Sequence, residues 1–162
     1  MGNLMNYIRF FIGAKNAHGI HSPFVYKLYT KGLKNNSING VKKLKQPSKA
    51  LVQIVNYFNF SQLYFSKNTT YLASLGGLKS IAKFEQAELI CCTLEDTPLI
   101  EKTIEETKSF IVIVLPHGKA SYQKDWKKYC DDPRINVSID GYFIGLLVKR
   151  PEQTKEHFKL RL

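Results

Sequence analysis

The first 84 residues contain no aspartate and no glutamate, although they carry twelve lysine and arginine residues. The rest of the chain holds the other twelve basic residues and all thirteen acidic ones, so the net charge of +11 arises in the N-terminal half. The absence of carboxylates excludes from that half any chemistry that needs Asp or Glu, and the excess of cations favours anionic partners such as nucleic acid, nucleotides or an acidic membrane surface. Lys, Asn, Ile, Phe and Tyr all have AT-rich codons, so a bias in base composition is an alternative source of the lysines.

Cysteine is also scarce, and long apolar runs are absent. The three cysteines, Cys91, Cys92 and Cys130, are odd in number and two are adjacent, which fits neither a disulfide framework nor the CxxC spacing of zinc sites. No apolar run approaches the ~18 residues of a membrane-spanning helix, and Arg9 interrupts the apolar N-terminal stretch, which has no evident cleavage site. These features predict reduced core cysteines and a cytoplasmic protein. The length and the apolar content of 44% are sufficient for a single domain.

Two helices are predicted in the first 33 residues. Apolar side chains recur at helical spacing near the N-terminus, at Leu4, Ile8, Phe11 and Ile12. This spacing predicts an amphipathic helix over residues 3–13, with Arg9 outside the apolar stripe. Ser22 followed by Pro23 is a typical N-cap and first-turn pair, and it predicts a second helix that continues to about Leu33.

The rest of the chain predicts an α/β fold. Residues 34–45 form a basic loop, and Pro47 with Ser48 precedes a third helix that ends near Phe58. Short apolar runs then alternate with helical segments, as expected for a parallel sheet; the runs are 63–65, 89–94 and 110–115, and the helical segments are 98–108 and 125–130. The last two predicted strands, 134–140 and 142–150, are so closely connected that they must be antiparallel.

Two stretches resemble a known family: HGIHSPFVYKL at 18–28 and DPRINVSIDGYFIGLLVKRPEQTKEHFKLRL at 132–162. They are similar to the two ends of a bacterial group of class I S-adenosylmethionine-dependent methyltransferase-like proteins, in which a helical extension precedes a Rossmann-like domain. Between them the resemblance is looser and rests on residues 55–65, the TLEDTP turn at 93–98, the strand at 110–115 and Trp126.

The resemblance implies a seven-stranded sheet that ends in an antiparallel hairpin. Members of the group are roughly 60 to 80 residues longer than this chain, which agrees with the larger size of full doubly wound domains. The shortfall lies between Lys108 and Phe110, so one or two βα units are expected to be missing. We therefore expect a reduced Rossmann-like methyltransferase sheet, mostly parallel, over residues 47–162, preceded by a helical basic extension over residues 1–46.

The resemblance also implies where a cofactor would bind. The group places a glycine-rich turn and an acidic residue after its first strand, and a second acidic residue after the next strand binds the ribose hydroxyls. Here the first strand continues into Lys67 and Asn68 without an acidic residue, and Gly76 and Gly77 are either displaced remnants of the turn or an ordinary turn. Glu95 lies at the ribose-binding position, although acidic residues before a helix also stabilise the helix dipole.

A second test of the implied site is the end of the later strand. Related O-methyltransferases carry carboxylates there that hold a divalent metal or the acceptor, whereas this chain has Val114, Leu115 and Pro116, which do not bind hard cations. His117 follows and is either a general base or a loop residue. His18 and His21 do not predict a metal site, because Ser22 places His21 before the helix. These two histidines are expected to pack the N-terminal helices onto the domain.

Three functional hypotheses remain, and the first is favoured. The chain is a degenerate methyltransferase relative that has lost cofactor binding and catalysis, with no cofactor expected. Alternatively, it is an active enzyme whose S-adenosylmethionine site has been rebuilt around Glu95, Gly76, Gly77 and His117. The third hypothesis is a basic module whose lysines bind the phosphates of nucleic acid or another anionic partner, centred on Lys42, Lys43, Lys45 and Lys49 and extended by Lys31 and Lys34.

Two interaction hypotheses accompany these. In a variant of the basic module, the N-terminal amphipathic helix lies on anionic lipid, for which Arg9 and Lys15 supply few charges. If strands are missing from the sheet, an exposed strand edge could also support a homodimer.

Overall fold

The computed structural model describes residues 2–116 and 122–162. Within these residues the chain forms six α-helices and six β-strands. The helices are α1 (Gly2–Gly13), α2 (Pro23–Lys27), α3 (Ser48–Phe58), α4 (Thr70–Gly76), α5 (Thr97–Glu106) and α6 (Tyr122–Asp131). The strands are β1 (Leu63–Phe65), β2 (Leu89–Thr93), β3 (Phe110–Val114), β4 (Val137–Asp140), β5 (Ile144–Val148) and β6 (Glu156–Lys159).

The N-terminal helices follow the predicted boundaries closely. The Ser22 hydroxyl accepts a hydrogen bond from the Val25 N–H at 3.4 Å, which confirms the predicted N-cap of α2. The α-helix itself ends at Lys27, and residues 28–33 continue it as a π-helical turn. The α3 helix runs from Ser48 to Phe58, as the sequence predicts.

The sheet is mixed, with the strand order β1-β2-β3-β5-β4-β6. The first three strands are parallel, and β5 is antiparallel to both β3 and β4. The predicted antiparallel pair is therefore confirmed, with a tight turn in which the Gly141 N–H donates to the Ile144 carbonyl at 2.9 Å. The sheet does not end with this hairpin, because β6 adds a further strand parallel to β4. The sequence analysis did not predict β6.

Helices cover both faces of the sheet. One buried cluster combines α2, α3 and α4 with one sheet face and includes Val25, Leu51, Leu72, Val112 and Leu146. The second cluster joins α5 and α6 to the other face and includes Ile100, Ile104, Ile113, Trp126 and Leu147. Residues of the N-terminal extension thus share a core with the C-terminal strands.

The α1 helix packs by its aromatic side. The Tyr7 ring lies 4.9 Å from the Tyr142 ring in an edge-to-face arrangement, and the Phe10 ring lies 5.2 Å from it. The predicted apolar stripe faces away from this contact and is exposed, with Leu4 at 68% and Ile12 at 74% of their full accessibility. The sequence pattern of α1 therefore identifies the helix but not the side that packs.

Both edge strands are partly covered by the chain itself. Beside β1, the Ile81 N–H donates to the Leu63 carbonyl at 2.7 Å, and the Phe65 N–H donates to the Ser80 hydroxyl at 3.3 Å. Beside β6, the Lys15 N–H donates to the Lys159 carbonyl at 2.7 Å. These contacts occupy edge groups that a partner strand would need. The homodimer through a strand edge stays a prediction.

The buried cysteines and the described helices agree with the expectations from the sequence. Cys91, Cys92 and Cys130 are free and buried, as predicted. Burial raises the pKa of Cys91 to about 12, so its thiol stays protonated at neutral pH. Among the helices that the structure describes, not one combines the length and the apolar character required to cross a bilayer.

Candidate functional site

The parallel strands all end at the same side of the sheet, which we call the carboxyl edge. Strands β1, β2 and β3 end there at Phe65, Thr93 and Val114, and β4 ends beside them at Asp140. In open α/β sheets, ligands bind at this edge, because loops of adjacent strands meet there. A cofactor in a sheet of this kind would therefore contact residues at the carboxyl edge.

Asp96 joins the loops that follow β1 and β2. Its Oδ2 accepts hydrogen bonds from the Ser66 hydroxyl at 2.7 Å, the Thr93 N–H at 2.8 Å and the Thr93 hydroxyl at 3.0 Å. Its Oδ1 accepts from the Asn68 amide at 2.8 Å. Both carboxylate oxygens are thus engaged by protein donors. We call this arrangement the Asp96 network.

The loop after β1 is further fixed by Thr69, which is completely buried. Its hydroxyl donates to the Cys91 carbonyl at 2.8 Å, and its N–H donates to the Ser66 carbonyl at 2.9 Å. A glycine-rich turn in this position would leave its backbone open to a ligand. Here polar side chains fill the turn and bond it to β2.

Glu95 is exposed and lines a small cleft beside the Asp96 network. The cleft has a volume of about 280 Å³ and is bounded by the loop after β2 and by α6, with Leu94, Thr97, Pro116, Tyr122, Asp125, Lys128 and Tyr129 in its walls. Burial raises the pKa of Tyr129, and burial together with the charge of Asp140 raises the pKa of Tyr122. Both phenols are therefore hydrogen-bond donors at neutral pH.

The volume of this cleft limits what it can hold. Small-molecule sites commonly have volumes of about 300 to 1,000 Å³, and this cleft lies just below that range. Its walls combine the polar groups of Glu95, Asp125, Lys128 and two tyrosines. The predicted general base, His117, lies outside the described residues.

Gly76 and Gly77 lie at the end of α4, not in the loop after β1. Gly77 has a φ of 64° and forms the left-handed C-cap of the helix, a conformation that glycine adopts without strain. A Cβ on Gly76 would lie 2.9 Å from a methyl of Val52, so this glycine allows α4 to approach α3. The structure thus gives both glycines a role in packing and capping.

The predicted anion-binding lysines follow α2 and lead into α3. Lys42, Lys43 and Lys45 are exposed, and Lys49 is half-buried in the first turns of α3. Burial and the nearby charge of Lys49 lower the pKa of Lys34. We call Lys34, Lys42, Lys43, Lys45 and Lys49 the basic surface. In the part of the chain that the structure describes, every ion pair joins residues after position 84, so this surface has no carboxylate neighbour in salt-bridge contact.

His18 and His21 are both exposed, so the expectation that they pack the N-terminal helices onto the domain is wrong. The neighbouring Ser22 does this instead, since the Gln153 amide donates to its hydroxyl at 2.8 Å. The two stretches that carry the family resemblance therefore contact each other. Across residues 2–116 and 122–162, no three metal-binding side chains are grouped so that they could hold an ion.

A second groove, which the sequence analysis missed, lies between α6 and the β4–β6 pair. It has a volume of about 570 Å³, and His157 lines it with its Nδ1 2.9 Å from the Ser138 hydroxyl. Ser138 is buried, and burial raises the pKa of Cys130 to about 11. Neither side chain is therefore an accessible, activated nucleophile.

Little in the sequence indicates which residues form the Asp96 network. Asp96 stands next to the predicted Glu95, and only the positions of Ser66 and Asn68 in space distinguish the two carboxylates. No family model matches the chain, and comparisons with curated proteins and with solved structures found no match.

Proposed function

We propose that the protein is a non-catalytic relative of the methyltransferase-like group, with a reduced Rossmann-like sheet, that does not use S-adenosylmethionine and binds an anionic partner through the basic surface. The observation that carries this proposal is the Asp96 network. A methyl donor would need the loop after β1 to be open, and here Ser66, Asn68 and Thr69 are committed to hydrogen bonds within the protein.

The strand order supports the same conclusion. Doubly wound sheets bind their cofactor in a crevice where the strand order reverses, beside a first strand in the middle of the sheet. Here β1 is an edge strand, and β2 and β3 follow it in one direction. The loops after these strands are therefore not separated by a reversal, and the cleft at Glu95 is small.

The first prediction concerns the cofactor. Titration of the protein with S-adenosylmethionine or S-adenosylhomocysteine in a calorimeter is expected to give no binding heat up to millimolar ligand, because the Asp96 network occupies the loop that would hold the methionine moiety. Glu95→Ala is the matched variant. Micromolar binding that disappears in Glu95→Ala would instead support the alternative of an active enzyme with a rebuilt site.

The second prediction concerns the basic surface. We expect the protein to bind heparin and a single-stranded oligonucleotide, two soluble polyanions, with an affinity that falls steeply as salt rises, since bound phosphates or sulfates release counterions. Lys42→Glu combined with Lys43→Glu is expected to weaken binding by about tenfold or more and to reduce the salt slope by about 2. Fluorescence anisotropy at several salt concentrations measures both quantities.

The control for this experiment carries the same change in net charge elsewhere. Lys108→Glu combined with Lys124→Glu alters two exposed lysines of the C-terminal half. If both double variants weaken polyanion binding equally, the attraction comes from the overall charge of +11 and the basic surface is not a site.

A further inference from the structure

The α1 helix presents an unusual surface for a folded element. Its exposed side is aliphatic, with Leu4, Ile8 and Ile12 in line at spacings of four residues and Met5 beside them. The opposite side is held by the contacts of Tyr7 and Phe10 with Tyr142. The helix is thus anchored to the domain while its apolar face points outward. Contiguous exposed apolar patches of this kind usually mark interaction sites.

Cationic side chains lie on both sides of this apolar face. Arg9 follows Ile8 in the helix and is exposed. On the other side, the Arg161 guanidinium lies 4.6 Å from the centre of the Phe11 ring, and its Nε donates to the Ala14 carbonyl at 2.9 Å. The Phe11 ring itself is exposed at the border of the face. The helix contains no acidic residue.

Arg161 also connects the apolar face to the basic surface. The Tyr29 hydroxyl donates to the Arg161 carbonyl at 2.9 Å, and the Lys34 ammonium lies 5.2 Å from the centre of the Tyr29 ring. Lys34 in turn is close enough to Lys49 for the charge of Lys49 to lower its pKa. Contacts thus run from α1 through Arg161 and Tyr29 to Lys34, which belongs to the basic surface.

These features together select one kind of partner. An amphipathic helix with an aliphatic face and flanking cations suits the boundary between headgroups and acyl chains of an anionic bilayer. Nucleic acid would use the lysines but not the aliphatic face. In a homodimer through this face, two cationic surfaces would lie opposite each other. Stable dimers also usually bury about 800 Å² per partner, which is more than a patch of five side chains supplies.

We infer that α1 lies in the surface of an anionic lipid bilayer, with its aliphatic face among the acyl chains and with Arg9, Arg161 and the basic surface at the lipid phosphates. This inference rests on the proposed function, because it names the anionic partner of the basic surface as a membrane. Apolar burial and charge attraction act together, which allows a short helix with few charges of its own to bind.

The test is co-sedimentation with vesicles of phosphatidylcholine, with or without phosphatidylglycerol. We expect binding to the anionic vesicles only, and Ile8→Asp is expected to reduce the partition coefficient by about tenfold or more, since it places a carboxylate in the apolar face. Asn6→Asp is the matched control, because it adds the same charge to an exposed position of α1 outside that face. Circular dichroism verifies that each variant is folded.

Each of the following outcomes would contradict the lipid inference. Failure to bind anionic vesicles, with heparin and oligonucleotide binding intact, would overturn the lipid inference and leave the proposed function standing. Failure with all three probes would overturn both. Equal loss in Ile8→Asp and Asn6→Asp would show that charge alone governs binding. A dimer that Ile8→Asp converts to a monomer, without vesicle binding, would assign the face to a second copy.

Discussion

Replacement of Asp96 with alanine is expected to lower the free energy of unfolding by about 3 kcal/mol. The carboxylate accepts four hydrogen bonds from Ser66, Asn68 and Thr93, and hydrogen bonds to charged groups contribute about 1.5 to 3 kcal/mol each when they act alone. The four share one group and Asp96 is only half-buried, so their contributions do not add. Urea-induced unfolding, followed by circular dichroism, measures the loss.

Glu105→Ala is the control for this prediction, because it removes an exposed carboxylate from α5 and is expected to change stability by less than about 0.5 kcal/mol. Asp96→Asn is expected to be intermediate, since the amide retains one acceptor oxygen but loses the charge. A loss below about 0.5 kcal/mol in Asp96→Ala would mean that the network does not hold the loops after β1 and β2. The structural argument against a cofactor at this edge would then fail.

Gly145→Ala is expected to destabilise the protein by about 2 to 3 kcal/mol through steric conflict in the core. A Cβ at this position would lie 2.6 Å from Cη2 and 2.7 Å from Cζ3 of Trp126. The indole is only 4% exposed, so it has little room to move, and Gly145 lies in β5 between β3 and β4. Thermal and urea unfolding of the variant measure the effect.

A double-mutant cycle identifies the cause of that loss. Trp126→Leu alone is expected to destabilise by loss of packing, but the double variant with Gly145→Ala should be more stable than the sum of the single effects by at least about 1 kcal/mol. Gly13→Ala is the matched control, because a Cβ there meets no atom within 4 Å. Additive single effects would show that the clash with Trp126 is not the reason.

The local rules of helix and strand formation were sufficient to predict much of this fold. Ser22 and Pro23 define the start of α2 because capping depends only on neighbouring residues. The antiparallel pair β4 and β5 followed from the shortness of its connection. The last strand escaped prediction because Phe158 is its only buried residue. An edge strand with one apolar side chain has no alternating pattern to detect.

Contacts between distant segments account for what sequence reasoning missed at the candidate site. Whether Glu95 or Asp96 bonds the loop after β1 depends on the register of β1 against β2, which no local pattern encodes. The packing side of α1 was equally hidden, because the helix has Tyr7 and Phe10 on one side and mainly aliphatic residues on the other. The position of Tyr142, far away in the chain, decides between them.

The contacts of the N-terminal segment with the C-terminal segment affect how the chain reaches its native state. Hydrogen bonds join Ser22 to Gln153, Tyr29 to Arg161 and Ala14 to Arg161, across 131, 132 and 147 residues. Closing such long loops lowers the entropy of the chain before the stabilising contacts have formed, and this slows folding. During synthesis on the ribosome, these contacts form only after the C-terminal segment has emerged. The apolar side chains that only these contacts bury stay exposed during that interval.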